Sequence, residues 1–187
     1  IPLVKQHLSD ALWAIAGQEL GGERFNRISG EHQPLRPKPS QAKSIAQGYG
    51  NIARFFPGTR AELAAIDDEI MLQALGPVQP GKAQAFEDQY ISSGGQLYEL
   101  MMGHDRWIAD LRPLVATTRS SGLCCHPYDL CTELIARQAG IIVTDEHEQP
   151  LNAPLDVSSD MAWMGYANRA IYEQIAPLLY GELKRRM

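Results

Sequence analysis

The stretch from His126 to Thr144 reads HPYDLCTELIARQAGIIVT, and it decides the fold class. Asp129 stands at the start of a pattern whose apolar residues recur at helical spacing, so we predict a helix over 128–138. The pair Ala139-Gly140 ends this helix, and the apolar run Ile141–Val143 follows as a buried strand. A helix that leads through a glycine into a buried strand is typical of α/β domains.

Outward from this stretch, strand-like and helix-like segments alternate from residue 41 to residue 187. We predict further strands at 43–47, within 81–91, at 106–111 and at 161–166, and further helices at 60–75, through Leu97 to Gly103, and at 169–185. Pro177 is expected to kink or divide the last helix, because proline cannot continue the helical hydrogen-bond ladder. The alternation predicts an α/β domain over 41–187, with a layered mixed sheet flanked by helices.

The first forty residues differ from the rest. Asp10–Gln18 fits strand or helix by periodicity alone, but with Gly21-Gly22 and the alternating run Arg24–Ile28 behind it the segment predicts a hairpin joined by a glycine turn. Three prolines in Gln33–Ser40 predict a connector. We therefore expect residues 1–40 to be the last hairpin of a different sheet, followed by a Pro-rich connector.

Composition and charge narrow the class of partner. The 187 residues are 44% hydrophobic and 21% charged, with a formal net charge of −5, so no basic surface is implied and we expect no nucleic-acid partner. No apolar stretch approaches the ~20 residues that cross a bilayer, so we expect no membrane contact. The clustered Cys124, Cys125 and Cys131 predict reduced thiols and a cytoplasmic protein. Because the chain opens with Ile1 and shows no signal peptide, we expect a processed or cut chain.

Asp129 allows two interpretations on the local pattern alone. An aspartate at a helix start can give one oxygen to the free helix N–H groups and the other to a cation. The positive end of the helix dipole also favours a nearby phosphate. A plain N-cap uses the same residue without any metal, and the local pattern by itself favours that simpler role.

The motif around Asp129 resembles the C-terminal signature of the inositol monophosphatase family, in which Trp-Asp is followed by Glu-Ala-Gly-Gly and a strand. Here Tyr128-Asp129 stands for Trp-Asp, and Gln138–Ile141 stands for Glu-Ala-Gly-Gly. The resemblance implies that Asp129 binds a catalytic Mg²⁺ ion and helps to orient the attacking water.

Other segments match the same family in the same order. Ser92, Ser93 and Gly94 open a stretch that resembles the family's Gly-Ser-Ala-Ala helix start, which implies that these three residues contact the substrate. The early hairpin resembles the family's strand, glycine turn and strand, and the segment Asp160–Asn168 resembles its last strand. The match therefore spans most of the chain.

Two departures from the family limit what the chain can do. The upstream Glu and the Asp-Pro-x-Asp-Gly motif that carry the main metal site are absent, and the Glu shortly before Trp-Asp has no clear equivalent. Since hard cations need several oxygen ligands, we expect the chain alone to be inactive.

The resemblance implies a Mg²⁺-dependent phosphomonoesterase that hydrolyses a small phosphorylated substrate with a metal-activated water. Residues 1–40 would then be a remnant of an N-terminal α+β domain, and 41–187 the C-terminal α/β domain. Family members are often dimers, so we expect a homodimer. The alternative is a non-catalytic module, derived from this fold, for ligand binding or self-association.

Three other clusters offer weaker chemistry. The acidic run Asp67-Asp68-Glu69 is more typical of a solvated helix face than of a metal site. The pair His104-Asp105 lacks the further histidines of a phosphohydrolase site, so a loop or strand entry is favoured. Cys124, Cys125 and His126 are too close in sequence to close a tetrahedron comfortably, so simple thiol packing is favoured there.

Overall fold

The computed structural model describes residues 7–90, 92–115 and 123–186. Within these ranges the strands are β1 (Leu8–Trp13), β2 (Gly21–Asn26), β3 (His32–Pro34), β4 (Tyr49–Ile52), β5 (Asp105–Asp110), β6 (Ile142–Thr144) and β7 (Trp163–Tyr166). The helices are α1 (Arg60–Leu75), α2 (Ser93–Met101), α3 (Arg112–Val115), α4 (Glu133–Gln138) and α5 (Arg169–Arg186), with a 3₁₀ helix at Pro127–Leu130. None of these helices is long and apolar enough to span a bilayer. The small and polar residues of 117–122 predict a loop, and this segment lies outside the described residues.

The small sheet is antiparallel, with strand order β1-β2-β3. The predicted hairpin is present, but Gly21 and Gly22 lie in β2 and not in the turn. Close neighbours explain these glycines, since a Cβ atom at Gly21 would lie 2.2 Å from the Trp13 ring and one at Gly22 would lie 2.4 Å from the Leu35 carbonyl oxygen. The third strand, β3, falls where we predicted only a connector.

The main sheet has the order β4-β5-β7-β6, with β4 parallel to β5 and the other two pairs antiparallel. The strand predicted at 43–47 is wrong, because pairing begins only at Tyr49 and runs through Gly50. A Cβ atom at Gly50 would lie 2.2 Å from the Trp107 indole, so this glycine lets the indole pack on β4. The strands predicted within 81–91 are also wrong, since over 81–90 only an isolated bridge joins Phe86 to Tyr49.

Two apolar clusters cover the two faces of the main sheet. One contains residues of α1 and α5, including Ile66, Ile70, Ile175 and Leu179, and the other contains residues of α2 and α4, including Leu97, Leu100 and Ala136. Apolar burial of this kind is the main favourable term in folding. The arrangement confirms the predicted layered mixed sheet flanked by helices.

Helices α1 and α5 lie where they were predicted, and the helix predicted over 128–138 does not form as one element. Helix α1 covers the predicted 60–75 and ends at Gly76, whose φ of 77° suits glycine. Helix α5 continues through Pro177 and is not divided. The single helix predicted over 128–138 is wrong, since the chain forms the 3₁₀ helix and then α4.

Candidate functional site

Asp129 lies in the 3₁₀ helix, where its carboxylate turns back to the chain. Its Oδ2 atom accepts a hydrogen bond from the backbone N–H of His126 at 2.9 Å. In the part of the chain that the structure describes, no hydrogen bond reaches its other carboxylate oxygen. The side chain is half-buried. Asp129 is therefore not an N-cap, because His126 occupies that position and Asp129 is the third residue of the 3₁₀ helix. One of its oxygens holds the turn, and the cation interpretation stays a prediction.

The N-terminus of α2 lies against this turn. Ser92 caps α2, since its Oγ atom accepts the backbone N–H of Gly95 at 3.1 Å. Gly94 is so close that a Cβ atom there would lie 3.9 Å from the Asp129 carbonyl oxygen and 3.6 Å from Thr132 Oγ1. The fold thus brings Gly94, in the first turn of α2, close to the backbone of Asp129, although the two residues are far apart in sequence. Their catalytic and binding roles stay predictions.

A buried ion pair that the sequence analysis missed lies at the end of β5. Asp110 is fully buried, and its two carboxylate oxygens accept hydrogen bonds from Arg112 Nε at 2.8 Å and Nη2 at 2.6 Å. The guanidinium also donates to the Leu123 carbonyl oxygen at 2.6 Å and lies over the rings of Phe55 and Phe56. This bidentate pair neutralises the charge of Asp110. The sequence signal that could have revealed this ion pair is an aspartate and an arginine two residues apart at the end of a predicted strand.

A second missed group joins Cys124 and His126 to Asp160. Cys124 Sγ donates to Asp160 Oδ1 at 2.8 Å, and His126 Nδ1 lies 3.5 Å from the same oxygen. Burial, followed by the nearby Asp160 carboxylate, raises the pKa of Cys124 to about 12. Cys125 faces the core instead, and burial raises its pKa to about 12 as well. Sequence reasoning considered the first two residues but had no means of placing Asp160 beside them.

The other predicted clusters have structural roles. The acidic run of α1 was expected to be solvated, which is wrong for Asp67, because this residue is buried and accepts a hydrogen bond from Arg54 Nη1 at 2.9 Å. Asp105 opens β5, in agreement with a strand entry, and is also buried. Burial, with Glu99 and Asp88 nearby, raises the pKa of Asp105 to about 7.

Comparison with known proteins places this geometry among solved structures. No family model matches the chain, and no curated protein matches it. The solved structures that match include SuhB of Mycobacterium tuberculosis, with 13% identity and a TM-score of 0.54. They also include a hypothetical protein of Pyrococcus horikoshii with similarities to inositol-1 monophosphatase, with 14% identity and a TM-score of 0.50. A third is a gene product named inositol monophosphatase–fructose 1,6-bisphosphatase, with 13% identity and a TM-score of 0.50. The chain has the inositol monophosphatase fold.

This fold likeness covers most of the present chain but not most of its neighbours. The three matches cover 93%, 84% and 84% of this chain, and 55%, 55% and 56% of the respective neighbours. The chain therefore spans a little over half the length of the inositol monophosphatase structures that it matches. The fold expected from the sequence resemblance is confirmed.

The described residues do not supply a complete set of ligands for Mg²⁺, the metal that the resemblance to the inositol monophosphatase family implies. Mg²⁺ requires about six oxygen ligands in near-octahedral geometry. Asp129 offers one free carboxylate oxygen, and Asp110 is already held by Arg112. Among the described residues, the sole group of three candidate ligands is Cys124, His126 and Asp160, and its thiol and imidazole suit softer ions.

Proposed function

We propose that this chain forms part of the active site of a metal-dependent phosphomonoesterase that acts on a small phosphorylated substrate. The observation that supports the proposal is the approach of the first turn of α2 to the Asp129 turn, where a Cβ atom at Gly94 would lie 3.9 Å from the Asp129 carbonyl oxygen. A helix N-terminus offers backbone N–H groups and a positive dipole to phosphate, and a carboxylate offers a ligand to a cation. In this proposal the two groups serve one metal–phosphate pair.

Each predicted residue has a part in this proposal. Ser92, Ser93 and Gly94 would hold the phosphate through the α2 N-terminus, and Asp129 would give one oxygen ligand to Mg²⁺. When bound, the metal would neutralise phosphate charge and activate a water molecule. The remaining carboxylate ligands would come from outside these 187 residues. The 187-residue chain alone should then have almost no phosphatase activity.

A non-catalytic module is the second candidate, and the Asp110–Arg112 pair favours it. The carboxylate of Asp110, at the end of β5, is bound to the Arg112 guanidinium, so it is not available to a metal. Such a domain could keep the phosphate-facing helix end of α2 for binding without hydrolysis. Self-association belongs to the same candidate, and a homodimer and a cytoplasmic location stay predictions under either function.

Substitution of Asp129 tests the enzyme proposal. In the longest natural form of the protein, Asp129→Asn should lower Mg²⁺-dependent hydrolysis of small phosphate monoesters by at least about 100-fold, because the ligand charge is lost. Asn can still accept the His126 N–H, so the turn should persist. Asp68→Asn, at an exposed aspartate of α1, is the matched control and should leave the rate unchanged.

The two candidate functions predict different outcomes of this assay. An unchanged rate for Asp129→Asn at saturating Mg²⁺ would remove Asp129 from the metal site. If the longest natural form hydrolyses no phosphate ester but binds inorganic phosphate, and the binding weakens when Gly94 is replaced by Glu, the non-catalytic module is supported. Glutamate at that position places negative charge at the helix end that would bind the anion.

A further inference from the structure

Two extended segments hold Cys124, His126 and Asp160 together. An isolated antiparallel bridge pairs Cys125 with Met161, and the Met161 N–H donates to the Cys125 carbonyl oxygen at 2.8 Å. Side chains alternate along an extended chain, so Cys124 and His126 share one face while Cys125 faces the core. Asp160, next to Met161 on the opposite segment, reaches the same face.

This pairing answers the earlier argument that three adjacent residues are too close in sequence to surround one metal ion. Cys124, Cys125 and His126 are adjacent and cannot all turn to one ion, but only two of them need to. The third donor comes from Asp160, which is distant in sequence and is brought in by the bridge. Ligand atoms of Cys124, His126 and Asp160 all lie within 4.8 Å of one another.

We propose that Cys124, His126 and Asp160 form a binding site for Zn²⁺ or a similar borderline transition metal, separate from the predicted Mg²⁺ ligand Asp129. Thiolate, imidazole and carboxylate are the donors that zinc prefers. The 3.5 Å between His126 Nδ1 and Asp160 Oδ1 matches the ~3.3–3.6 Å that tetrahedral bonds of about 2.0–2.3 Å impose between ligand atoms. The Cys124–Asp160 contact of 2.8 Å would lengthen slightly, because an ion replaces the thiol proton that now links the two atoms.

The surroundings leave a fourth position for the metal. His126 Nδ1 donates a hydrogen bond to the Ser159 carbonyl oxygen at 3.1 Å. When a metal takes the place of that proton, the carbonyl oxygen is available as an additional ligand. Asp160 is more than half exposed, with 59% of its side chain accessible, so water can also reach the ion. Three protein ligands with one open position are typical of zinc sites that exchange water or bind a further ligand. Zinc binding releases the Cys124 proton and leaves the imidazole neutral, with its proton on Nε2.

Cobalt provides a direct test, because Co²⁺ occupies zinc sites and reports on its ligands by absorption. The reduced 187-residue protein should bind about one Co²⁺ per chain, with a thiolate-to-cobalt charge-transfer band that Zn²⁺ abolishes. Cys124→Ser should eliminate this band. His126→Ala and Asp160→Asn should each weaken zinc binding by at least about tenfold, as expected when one of three ligands is lost.

Matched controls exist in the same chain. Cys131 is an exposed thiol and His147 an exposed imidazole, so Cys131→Ser and His147→Ala should leave zinc affinity within about twofold. Absence of a charge-transfer band in the wild-type protein would overturn the proposal, and so would an equal loss of binding in Cys131→Ser. Because Asp160 is largely exposed, Asp160→Asn remains informative even if Cys124→Ser folds poorly. Zinc binding is measured without phosphate esters, so its outcome is independent of the phosphatase proposal.

Discussion

The two sheets of this molecule differ in how much of each is buried. In β1, β2 and β3 every residue is exposed or only half-buried. In β5 and β7 nearly every residue is buried, and helices cover both faces. A sheet without a packed face gains little from the hydrophobic effect. The main sheet therefore contributes most of the stability of the fold, while the stability of the small sheet depends on its attachment to the rest of the molecule.

The attachment of the small sheet is mostly polar. Asp10 of β1 accepts two hydrogen bonds from Arg24, at 2.6 Å each, and a third from the Tyr98 hydroxyl of α2. Gln138 of α4 donates to the Ile15 carbonyl oxygen at 2.9 Å. Leu12 adds an apolar contact with the cluster beneath α2 and α4. The small sheet therefore contacts the same two helices whose ends frame Asp129.

The largest expected effect comes from replacing one tryptophan of each sheet with alanine and comparing the two losses of stability. Trp107 of β5 is 1% exposed and Trp13 of β1 is 52% exposed. Trp107→Ala should lower the free energy of unfolding by about 3–5 kcal/mol, because it leaves a large cavity. Trp13→Ala should cost less than about 1 kcal/mol. Urea denaturation measures both values, and similar costs for the two variants would break the comparison.

A change of pH should affect the main sheet through Asp105, the first residue of β5. Its folded-state pKa of about 7 lies above the ordinary 3.8, so the folded protein binds more protons between these two values. The free energy of unfolding should therefore fall as pH rises from about 4 to about 7, by on the order of 2–4 kcal/mol from this residue. His104 opposes the shift, while Glu99 and Asp88 favour it.

Asp105→Asn isolates this contribution, since asparagine does not titrate. Denaturation of both proteins at pH 4.5 and pH 8 should show the variant gaining stability relative to wild type at the higher pH. Asp68→Asn again serves as the exposed control. Parallel pH profiles for wild type and Asp105→Asn would show that the carboxyl of Asp105 is not protonated in the folded protein at pH 5–6.

The smallest effect should come from the joint between the sheets. Tyr98→Phe removes the hydroxyl that donates to Asp10 and should cost about 1 kcal/mol. Burial, followed by Asp10, raises the pKa of Tyr98 to about 12, so the donor keeps its proton at neutral pH. Hydrogen exchange should speed up in β1 and β2 and stay unchanged in β5. Tyr128→Phe, at an exposed tyrosine, is the control, and equal acceleration in β5 would contradict a local joint.

Local signals predicted the regular elements well. The start of helix α1 and its glycine stop are visible in the sequence, and β7 is a continuous apolar run. Two of the failures, the hairpin turn and the start of β4, occurred at glycines that were taken as turn or strand ends. Gly21, Gly22 and Gly50 instead lie inside strands, because neighbouring groups occupy the space that a Cβ atom would need. That space depends on tertiary contacts, which no local pattern reports.

The candidate site was predictable only in part, for a related reason. Asp129 and the Ser92–Gly94 segment were proposed through a family resemblance, and the structure places Gly94 near the Asp129 backbone while their roles stay predictions. The Asp110–Arg112 pair and the approach of Asp160 to Cys124 were not found. The first depends on the direction of two neighbouring side chains, and the second depends on pairing between distant segments. The separation along the chain between Cys124 and Asp160 hides their proximity completely.

The parallel pairing of β4 with β5 also has a consequence for folding rate. The β1–β2 hairpin joins neighbours in sequence, whereas β4 and β5 are separated along the chain by both α1 and α2. Closing such a long loop loses entropy before any contact compensates the loss, which makes the pairing slow. We therefore expect the β1–β2 hairpin to form faster than the β4–β5 pair.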